Sequence, residues 1–506
     1  MPQSINLLEY KRKKSIYFIA WVVGITTLVF FVFSSLRLAL FRAGTDLGFF
    51  AQLLYLLSQG LPPVSSLLEG VHLIGDHAAF VLYPISLFYF IYPDIHWLLL
   101  VQAFALAAGA IPVYYLSLQQ SLSINYAKAI AISYVLYPAL FNINFYTEFR
   151  PETIAVPALI WAVWAIKTEH LWQFIIAIIL ALSCKETISL TVISFGIWLW
   201  ICEKKRAYGI CCIILAAIWF IIAANYIIPT FRGGYPMAGT WQYSSIGNSL
   251  SELAWKVITD PRIILSRIFL PDRLFYYFLL TLPIILGLHL RQIAAMIPAL
   301  PMLLLNILAD YEGQRDLIHH YSLPIFPFLF IWLIHSLGYL NKQQKRLWLS
   351  PKWLIVWSVI VFFFLAKYSY FYTRYLPQFP DTIAVRAAVN LVKPEAKVLT
   401  NSFITPHLSH RPMIKLMEGE WDLERIQTYS FDYILIALKY MGLQMSVESA
   451  NDIIEKLYNS DEFTLIYQDN EVFLFAKSNS LIYDHGVKGD REVAPRGFGS
   501  RMTPIF

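Results

Sequence analysis

Long apolar runs that lack charged residues recur along the first 371 positions, and they restrict the possible folds more than any other feature of this sequence. A membrane-spanning helix needs roughly 20 predominantly apolar residues. Only 14% of the 506 residues are charged, whereas a soluble globular protein carries about 25%. The runs of sufficient or nearly sufficient length lie at about 16–36, 97–118, 129–145, 153–167, 171–184, 187–201, 208–228, 274–290, 293–308, 322–340 and 353–371. We predict a polytopic α-helical membrane protein with about eleven transmembrane helices.

Clusters of lysine and arginine predict the orientation of these helices. Such clusters occur at 11–14, 204–206 and 342–346, and cytoplasmic loops are enriched in these residues. All of them fall inside if the N-terminus is cytoplasmic and a further apolar run, 78–92, lies at the outer surface without crossing. This topology predicts a plasma (inner) membrane protein whose C-terminal segment lies outside. It leaves four predicted outer loops: 37–96, 146–152, 229–273 and 309–321.

Charge and motif content exclude several functional classes. The net charge of +6 comes from clusters beside apolar runs, so we expect no nucleic-acid partner. The four cysteines have neither metal-ligand spacing nor a disulfide pattern. The sequence has no P-loop, no G-x-S-x-G and no H-E-x-x-H, and no G-x-G-x-x-G follows a strand. We therefore expect no soluble nucleotide site.

The composition changes near residue 379, where shorter helical and extended patterns begin to alternate. Residues 1–378 are predicted to form the transmembrane domain, 379–477 a small soluble α/β domain, and 478–506 a disordered tail. The predicted helices of the α/β domain are 382–392, 403–410 and 449–459. Its predicted strands are 397–401, 433–438, 464–469 and 472–477, the last two joined as a hairpin.

The first predicted outer loop begins with an aspartate at the start of an amphipathic helix. Asp46 follows the first apolar run in the sequence Arg42-Ala43-Gly44-Thr45-Asp46. At the membrane surface this carboxylate could accept the proton of an acceptor hydroxyl, which makes Asp46 the candidate catalytic residue. The alternative is that Thr45 and Asp46 simply cap the helix that follows.

Two further segments combine acidic and basic residues at the ends of apolar runs. Arg150 could clamp a phosphate oxygen, or it could be neutralised by Glu148 or Glu152 at a helix end. Lys185 and Glu186 lie between two short apolar runs. They could form a functional site with each other as partners, or a self-neutralising pair that ends one helix and begins the next.

The fourth predicted outer loop adds Arg315, a second candidate for neutralising a phosphate, and the adjacent His320 and Tyr321. Histidine and carboxylate side chains of the outer loops could also hold a divalent metal ion, since imidazole and carboxylate are common ligands. The candidate metal ligands are His72, His77 and Glu148. Ordinary interfacial histidines are the alternative interpretation.

Several segments, taken in order and spacing, resemble a known family. They are Asp46-Leu47-Gly48-Phe49-Phe50-Ala51-Gln52, Gly75-Asp76-His77, Gln102, Tyr137-Pro138, Phe149-Arg150-Pro151-Glu152, Lys185-Glu186, His320-Tyr321 and Pro406-His407-Leu408-Ser409-His410-Arg411. From about 40 to 477 the chain resembles the DUF2079 family of bacterial multi-pass membrane proteins. One departure is Arg150, where the family pattern has histidine, and this argues against a metal-ligand role at that position.

This family in turn resembles the GT-C fold membrane glycosyltransferases, which use polyprenyl-phosphate sugars and carry an essential Asp or Glu in the first outer loop. The resemblance implies a GT-C-like fold, Asp46 as the general base, and a lipid-phosphate sugar as donor. It implies membrane lipid and polyprenyl-linked sugar as partners, and a lipid, glycan or protein as acceptor. The remaining candidate substrate-binding residues are His77, Glu148, Arg150, Glu152, Lys185, Glu186, Arg315, His320 and Tyr321.

Two other functions fit a multi-pass membrane protein. A transporter or flippase would show internal repeats and ionisable residues near the centres of its spans. The sequence shows no clear repeat, and its ionisable residues cluster at the outer edges. A non-catalytic scaffold would use the C-terminal domain to bind a partner.

Overall fold

The computed structural model describes residues 2–235, 237, 239–247, 249–343, 349–419, 421–442 and 445–478, with side chains from residue 15 onwards except at 250, 251 and 254. All but the first residue of the predicted tail 478–506 lies outside the described residues.

The first part of the chain is helical apart from one short hairpin of β1 (Val64–Ser65) and β2 (Val71–His72). Its helices are α1 Pro2–Ala39, α2 Thr45–Ser58, α3 Leu82–Ile91, α4 His96–Ala108, α5 Ala110–Gln119, α6 Ile124–Val135, α7 Pro138–Tyr146, α8 Glu152–Lys167, α9 Leu171–Leu182, α10 Ile188–Ile201, α11 Arg206–Ile222, α12 Ile228–Phe231, α13 Leu250–Thr259, α14 Arg262–Ile268, α15 Pro271–Thr281, α16 Leu300–Leu308, α17 Phe326–Lys342 and α18 Pro351–Leu365.

Five helical segments within the described ranges are long and apolar enough to cross a membrane: Ser15–Ala39, His96–Gln119, Ile124–Tyr146, Arg206–Phe231 and Leu290–Leu308. A sixth would combine Arg262–Ile268 with Pro271–Gly287, which are bent by 67° at the break between them. Shorter apolar helices, among them α9, α10 and α18, account for further predicted runs. The membrane character of the chain is therefore supported, and the count of eleven spans remains a prediction.

Helix α3 occupies the run 78–92 whose crossing would reverse the topology. Its ten residues extend about 15 Å at 1.5 Å per residue, half of the roughly 30 Å hydrocarbon core. Helices α9, α10 and α18, with 12, 14 and 15 residues, are also shorter than this core. Length therefore does not distinguish α3 from them, and its position at the outer surface remains a prediction.

Large apolar side chains point outward from several of the helices. Trp21 on α1, Ile221 on α11 and Phe364 on α18 are 68%, 59% and 75% exposed. Soluble monomers rarely expose extended apolar surfaces of this kind. Lipid rather than water is the solvent in which these faces are stable.

The C-terminal part contains a five-stranded sheet in the order β4-β3-β5-β7-β6. Its strands are β3 Val398–Thr400, β4 Ile414–Leu416, β5 Tyr433–Ala437, β6 Phe463–Asp469 and β7 Val472–Lys477. Strands β4, β3 and β5 are parallel, and β7 runs antiparallel to both β5 and β6. The helices are α19 Phe379–Leu391, α20 Thr405–Leu408, α21 Leu423–Tyr429 and α22 Val447–Tyr458.

The two faces of this sheet belong to different cores. Side chains of successive strand residues point to opposite faces. On β5, Ile434 and Ile436 pack in a separate cluster with residues of α21 and α22. Leu435 and Ala437 instead join the main cluster, which also contains residues of the membrane helices. The sheet is therefore packed directly against the first part of the chain.

Hydrogen bonds attach this segment to the predicted first outer loop. The Thr45 and Ser402 hydroxyls lie 2.8 Å apart. Ser66 donates its hydroxyl to the carbonyl of Ile414 at 2.7 Å. His407 contacts the carbonyl of Leu38 through Nε2 at 3.0 Å. These contacts hold the residues that follow β3, and the first residue of β4, beside the first predicted outer loop.

Candidate functional site

Asp46 lies in the first turn of α2 and contacts Arg150. The helix is preceded by Gly44 at the N-cap position, and no side chain caps it. The interpretation of Thr45 and Asp46 as the helix cap is therefore wrong. Instead, Oδ2 of Asp46 accepts a hydrogen bond from Nη2 of Arg150. The Asp46 side chain is 47% exposed, whereas Arg150 is only 17% exposed.

The environment of Arg150 explains why it remains charged despite its burial. Desolvation favours the neutral form, but Asp46, Glu148 and Glu152 outweigh it and raise the pKa of Arg150. Glu148 and Glu152 therefore help to neutralise Arg150, as one alternative predicted, but its direct ion pair is with Asp46. The backbone N–H of Arg150 donates to Oε1 of Gln102 at 2.8 Å, which anchors this short loop.

Glu148 has a different partner from the one that its sequence neighbours predict. Its Oε1 accepts from Nη2 of Arg37 at 2.7 Å and from the backbone N–H of Gly44 at 3.0 Å. Against the cost of burial, Arg37 and then Arg150 lower the pKa of Glu148. Glu148 thus joins the loop before α8 to Arg37 at the end of α1. It also contacts Gly44, which precedes Asp46 by two residues.

Lys185 and Glu186 do not pair with each other. Nζ of Lys185 lies 2.7 Å from Oε1 of Glu152, and Oε2 of Glu186 lies 3.3 Å from Nδ1 of His77. The predicted self-neutralising pair is therefore wrong. Adjacent side chains in the break between α9 and α10 point to different neighbours, which brings α8 and the loop before α3 to one place.

His77 and Asp76 complete this cluster together with Arg232 from the predicted third outer loop. Asp76 contacts His77 at 3.5 Å and Arg232 at 3.1 Å. Burial opposes its charge, but His77, Arg232 and Lys185 lower the pKa of Asp76. Burial also opposes protonation of His77, yet Asp76 and Glu186 outweigh the repulsion of Lys185 and raise the pKa of His77.

A cavity of about 440 Å³ lies where these segments meet. It is lined by residues of all four predicted outer loops, with Arg150 as the residue from loop 146–152. Its polar and charged lining residues are Asp46, Asp76, His77, Arg150, Lys185, Glu186, Thr187, Arg232, Thr240, Gln242, Asn306, Gln314, His320 and Tyr321. Apolar walls come from Phe49, Phe50, Leu68, Met302 and Leu305. Seven of the residues predicted as site residues therefore share one cavity, Asp46 and Lys185 among them.

His320 lies in this cavity among cationic groups. Burial and the nearby Arg150, Lys185 and His77 together lower the pKa of His320 well below its ordinary value. The cavity thus contains the cations Arg150, Lys185 and Arg232 together with the carboxylates Asp46, Asp76 and Glu186. Its neighbour Tyr321 accepts a hydrogen bond through its hydroxyl from Nε2 of Gln242 at 3.1 Å.

Four predicted site residues do not line the cavity. Glu148 and Glu152 instead hold Arg37 and Lys185, and Arg315 and His72 lie elsewhere. Arg315 contacts Asp272 at 3.1 Å and donates to the carbonyls of Ala309 and Asn306 at 2.6 and 3.3 Å, so it holds the end of α16. It does not line the cavity. The ring of His72 packs on Phe231 with centroids 4.8 Å apart. Its Nδ1 accepts the backbone N–H of Ile74 at 3.3 Å.

The predicted metal ligands His72, His77 and Glu148 do not come together. Among the residues that the structure describes, no group of three His, Cys, Asp or Glu side chains is arranged to hold a metal ion. Glu148 is paired with Arg37, and His77 with Asp76 and Glu186. The physical reason is that each member of the predicted set already has a partner of its own.

Sequence reasoning missed the contribution of the third predicted outer loop. Arg232, Trp241 and Gln242 from this loop line the cavity. The available signal was Gly75: a Cβ atom there would overlap the carbonyl of Phe231. A glycine beside Asp76 and His77 therefore marks the close approach of this loop, but the sequence does not say which segment approaches.

Comparison with solved structures identifies the fold. ArnT from Cupriavidus metallidurans bound to undecaprenyl phosphate aligns with a TM-score of 0.50 and 12% identity, covering 92% of this chain and 98% of its own. ArnT from the same organism in the apo state aligns with a TM-score of 0.48 and 10% identity, covering 90% of this chain and 98% of its own. A third structure is the archaeal oligosaccharyltransferase AglB from Archaeoglobus fulgidus, in complex with an inhibitory peptide and a dolichol-phosphate. It aligns with a TM-score of 0.39 and 11% identity, covering 92% of this chain and 74% of its own. These proteins are GT-C fold glycosyltransferases, and the likeness to ArnT shows a GT-C-like fold here.

Comparison of sequences identifies the family of the chain. No curated protein has a matching sequence. The family described as "Predicted membrane protein (DUF2079)" matches residues 37–474, which is most of the chain. These limits are close to those of the resemblance in the sequence analysis, which is therefore confirmed. The chain belongs to the DUF2079 family of predicted membrane proteins.

Proposed function

We propose that this protein is a membrane glycosyltransferase that transfers a sugar from a polyprenyl-phosphate donor to a hydroxyl of a lipid, glycan or protein. The observation that carries the proposal is the cavity in which the exposed carboxylate of Asp46 lies with the buried cations Arg150 and Lys185. A glycosyl transfer from a lipid phosphate requires an acceptor for a proton and compensation for the charge of a phosphate leaving group.

The fold supports the choice of donor. ArnT shares the GT-C-like fold over nearly its whole length, and its structure contains undecaprenyl phosphate. A polyprenyl donor cannot leave the bilayer, so its headgroup must react where membrane helices meet surface loops. The cavity described above has this position, between the ends of α8, α9 and α16 and the predicted outer loops.

Each residue then has a defined role in the transfer. The acceptor hydroxyl oxygen forms a bond to the anomeric carbon, while the bond from that carbon to the phosphate oxygen breaks. The proton of the hydroxyl passes to the Asp46 carboxylate. The electron pair of the broken bond stays on the polyprenyl phosphate, whose charge Arg150 and Lys185 stabilise.

The topology belongs to the same proposal. The N-terminus is cytoplasmic, and the cavity and the α/β segment 379–477 lie on the outer face of the plasma membrane. The basic clusters of the cytoplasmic loops support this orientation. It makes lipid-linked sugars of the outer leaflet available to the site.

The experiment is an analysis of lipid-linked sugars in cells that produce the wild-type protein, no protein, or the Asp46→Asn variant. Mass spectrometry of extracted lipids should show the Asp46→Asn cells with the profile of cells lacking the protein, at unchanged protein level in the membrane. Glu69→Gln is the matched control, because Glu69 belongs to the same predicted loop but is exposed and outside the cavity. A wild-type profile in Asp46→Asn cells would contradict the proposal.

A further inference from the structure

The ion pair between Asp46 and Arg150 raises a question about the proposed reaction. Arg150 donates to Oδ2 of Asp46. The same carboxylate is the proposed acceptor of a proton, and the same guanidinium is a proposed ligand of the donor phosphate. The two groups that the reaction needs are thus engaged with each other.

The two partners differ in how firmly the protein holds them. The backbone of Arg150 is anchored to Gln102, and its Nε atom is buried without a hydrogen-bond partner. A guanidinium has five N–H donors, so Arg150 retains donors for a second anion. Asp46 is nearly half exposed, and Arg150 is the partner that the structure gives its carboxylate.

A phosphate group in the cavity would compete with Asp46 for Arg150. The phosphodiester of the donor carries one negative charge, as a carboxylate does, and its two free oxygens can form a bidentate bond with arginine. Lys185 lines the same cavity and uses one of its three N–H donors for Glu152. A phosphate that contacts Arg150 and Lys185 therefore gains two cations, whereas Asp46 contacts one.

We infer that Asp46 and the donor phosphate compete for Arg150: the arginine neutralises Asp46 until a donor binds, and the phosphate of the bound donor then draws it away. This inference rests on the proposed function. The exchange frees Oδ2 to accept the proton of the acceptor hydroxyl only after the donor has bound. Binding is then ordered, with the donor first, and the carboxylate and phosphate sites are coupled.

The coupling has a consequence that can be measured without catalysis. If Asp46 competes for Arg150, removal of its charge must tighten phosphate binding. Binding of undecaprenyl phosphate to the full-length protein in detergent is the measurement. Asp46→Asn should bind about tenfold tighter than wild type or more, within the range usual for coupled sites.

Simple repulsion between Asp46 and the phosphate would also make Asp46→Asn bind undecaprenyl phosphate more tightly. Two comparisons separate this repulsion from competition for Arg150. Glu186 lines the same cavity, but its carboxylate contacts His77 rather than Arg150. Glu186→Gln therefore measures the effect of removing a cavity carboxylate that does not contact Arg150. In an Arg150→Met background, Asp46→Asn should give no more than the Glu186→Gln gain. If Arg150→Met does not fold, the comparison between the two single variants still decides.

Glu203→Gln is the remote control, since Glu203 pairs with Lys167 at 2.7 Å outside the cavity. The affinity of this variant for undecaprenyl phosphate should equal that of wild type. The exchange would be overturned by equal gains in affinity in Asp46→Asn and Glu186→Gln. It would also be overturned if Asp46→Asn in the Arg150→Met background gave a larger gain than Glu186→Gln. A wild-type protein that does not bind undecaprenyl phosphate would instead contradict the proposed donor. The two failures are therefore distinguishable.

Discussion

Lys185 and Glu152 form an ion pair between the break that follows α9 and the first residue of α8, with Nζ and Oε1 2.7 Å apart. The two side chains are 14% and 5% exposed. Burial opposes the charge of Lys185, but Glu152 and Glu186 outweigh it and raise the pKa of Lys185. A buried charge of this kind depends on its partner, because removal of one member leaves the other without compensation.

Glu152→Gln should therefore destabilise the protein. Breaking a buried ion pair on one side costs about 3–5 kcal/mol, so thermal unfolding in detergent should occur at a clearly lower temperature. The double variant Glu152→Leu with Lys185→Met removes both charges and should recover part of the loss. Failure of the double variant to recover any stability would contradict this account of the pair.

Glu169→Gln provides the comparison for that measurement. Glu169 contacts Lys205 at 3.4 Å, but its side chain is 80% exposed. Exposed ion pairs contribute about 0–1 kcal/mol, so this variant should unfold almost as wild type does. A loss as large as that of Glu152→Gln would show that burial is not the cause.

The cluster around His77 predicts a pH dependence of stability. Asp76 and Glu186 raise the pKa of His77 above its ordinary value of 6.5 despite burial and the repulsion of Lys185. Protonation is thus favoured in the folded state. The stabilisation is fully present below pH 6.5, and it is lost as the pH rises through the raised pKa.

Thermal unfolding between pH 6 and pH 9 should show this loss in the wild type. In His77→Gln the charge is absent, so the difference in stability between wild type and variant should shrink as the pH rises. His170→Gln is the control, since His170 is exposed and lies outside the cavity, and its curve should follow that of wild type. A constant difference between wild type and His77→Gln at all pH values would contradict the prediction.

The attachment of the α/β segment to the first predicted outer loop can be tested by cross-linking. The hydroxyls of Thr45 and Ser402 lie 2.8 Å apart, a separation compatible with the short distances that a disulfide requires. In a background without the four native cysteines, Thr45→Cys with Ser402→Cys should oxidise to an intramolecular disulfide. Protease cleavage between the two positions should then leave a single band until reductant is added.

Thr45→Cys with Ser430→Cys should remain uncross-linked under the same conditions, because Ser430 follows α21, which packs in the separate cluster on the opposite face of the sheet. Absence of a disulfide in the Thr45–Ser402 pair would place the C-terminal segment away from the helix that carries Asp46.

Sequence patterns predicted the location of the polar residues better than their partners. Apolar runs and basic clusters place Asp46, Lys185 and His320 near one membrane surface, and the cavity contains all three. Sequence adjacency did not indicate the direct partners, which are Glu152 for Lys185 and Asp46 for Arg150. At helix breaks, neighbouring side chains diverge, so charge pairing depends on how distant helices pack, which local patterns do not encode.

The prediction of secondary structure was likewise limited where an element depends on contacts between distant parts of the chain. The predicted hairpin 464–469 and 472–477 is confirmed by β6 and β7. Strand β4, Ile414–Leu416, was missed because three residues, one of them a lysine, give too short a pattern. Its position at the sheet edge depends on parallel pairing with β3, a long-range contact.

Two glycines set the distance between helices α10 and α11. A Cβ atom on Gly196 would lie 2.6 Å from the carbonyl oxygen of Gly209 and 2.8 Å from Cγ1 of Ile213. Backbone oxygen cannot move aside unless the helices separate, and small residues at such crossings are typical of membrane helix pairs. Gly196→Ala should therefore destabilise the protein by about 1–3 kcal/mol, although alanine has the higher helix propensity.

Gly24 in α1 is the matched site for this substitution, because a Cβ atom there would meet nothing within 4 Å. Gly24→Ala should be neutral or stabilise by up to about 1 kcal/mol, the difference in helix propensity. Thermal unfolding of both variants in the same detergent measures the two effects with opposite expected signs. If Gly196→Ala were as stable as Gly24→Ala, the close crossing of α10 and α11 could not be a determinant of the fold.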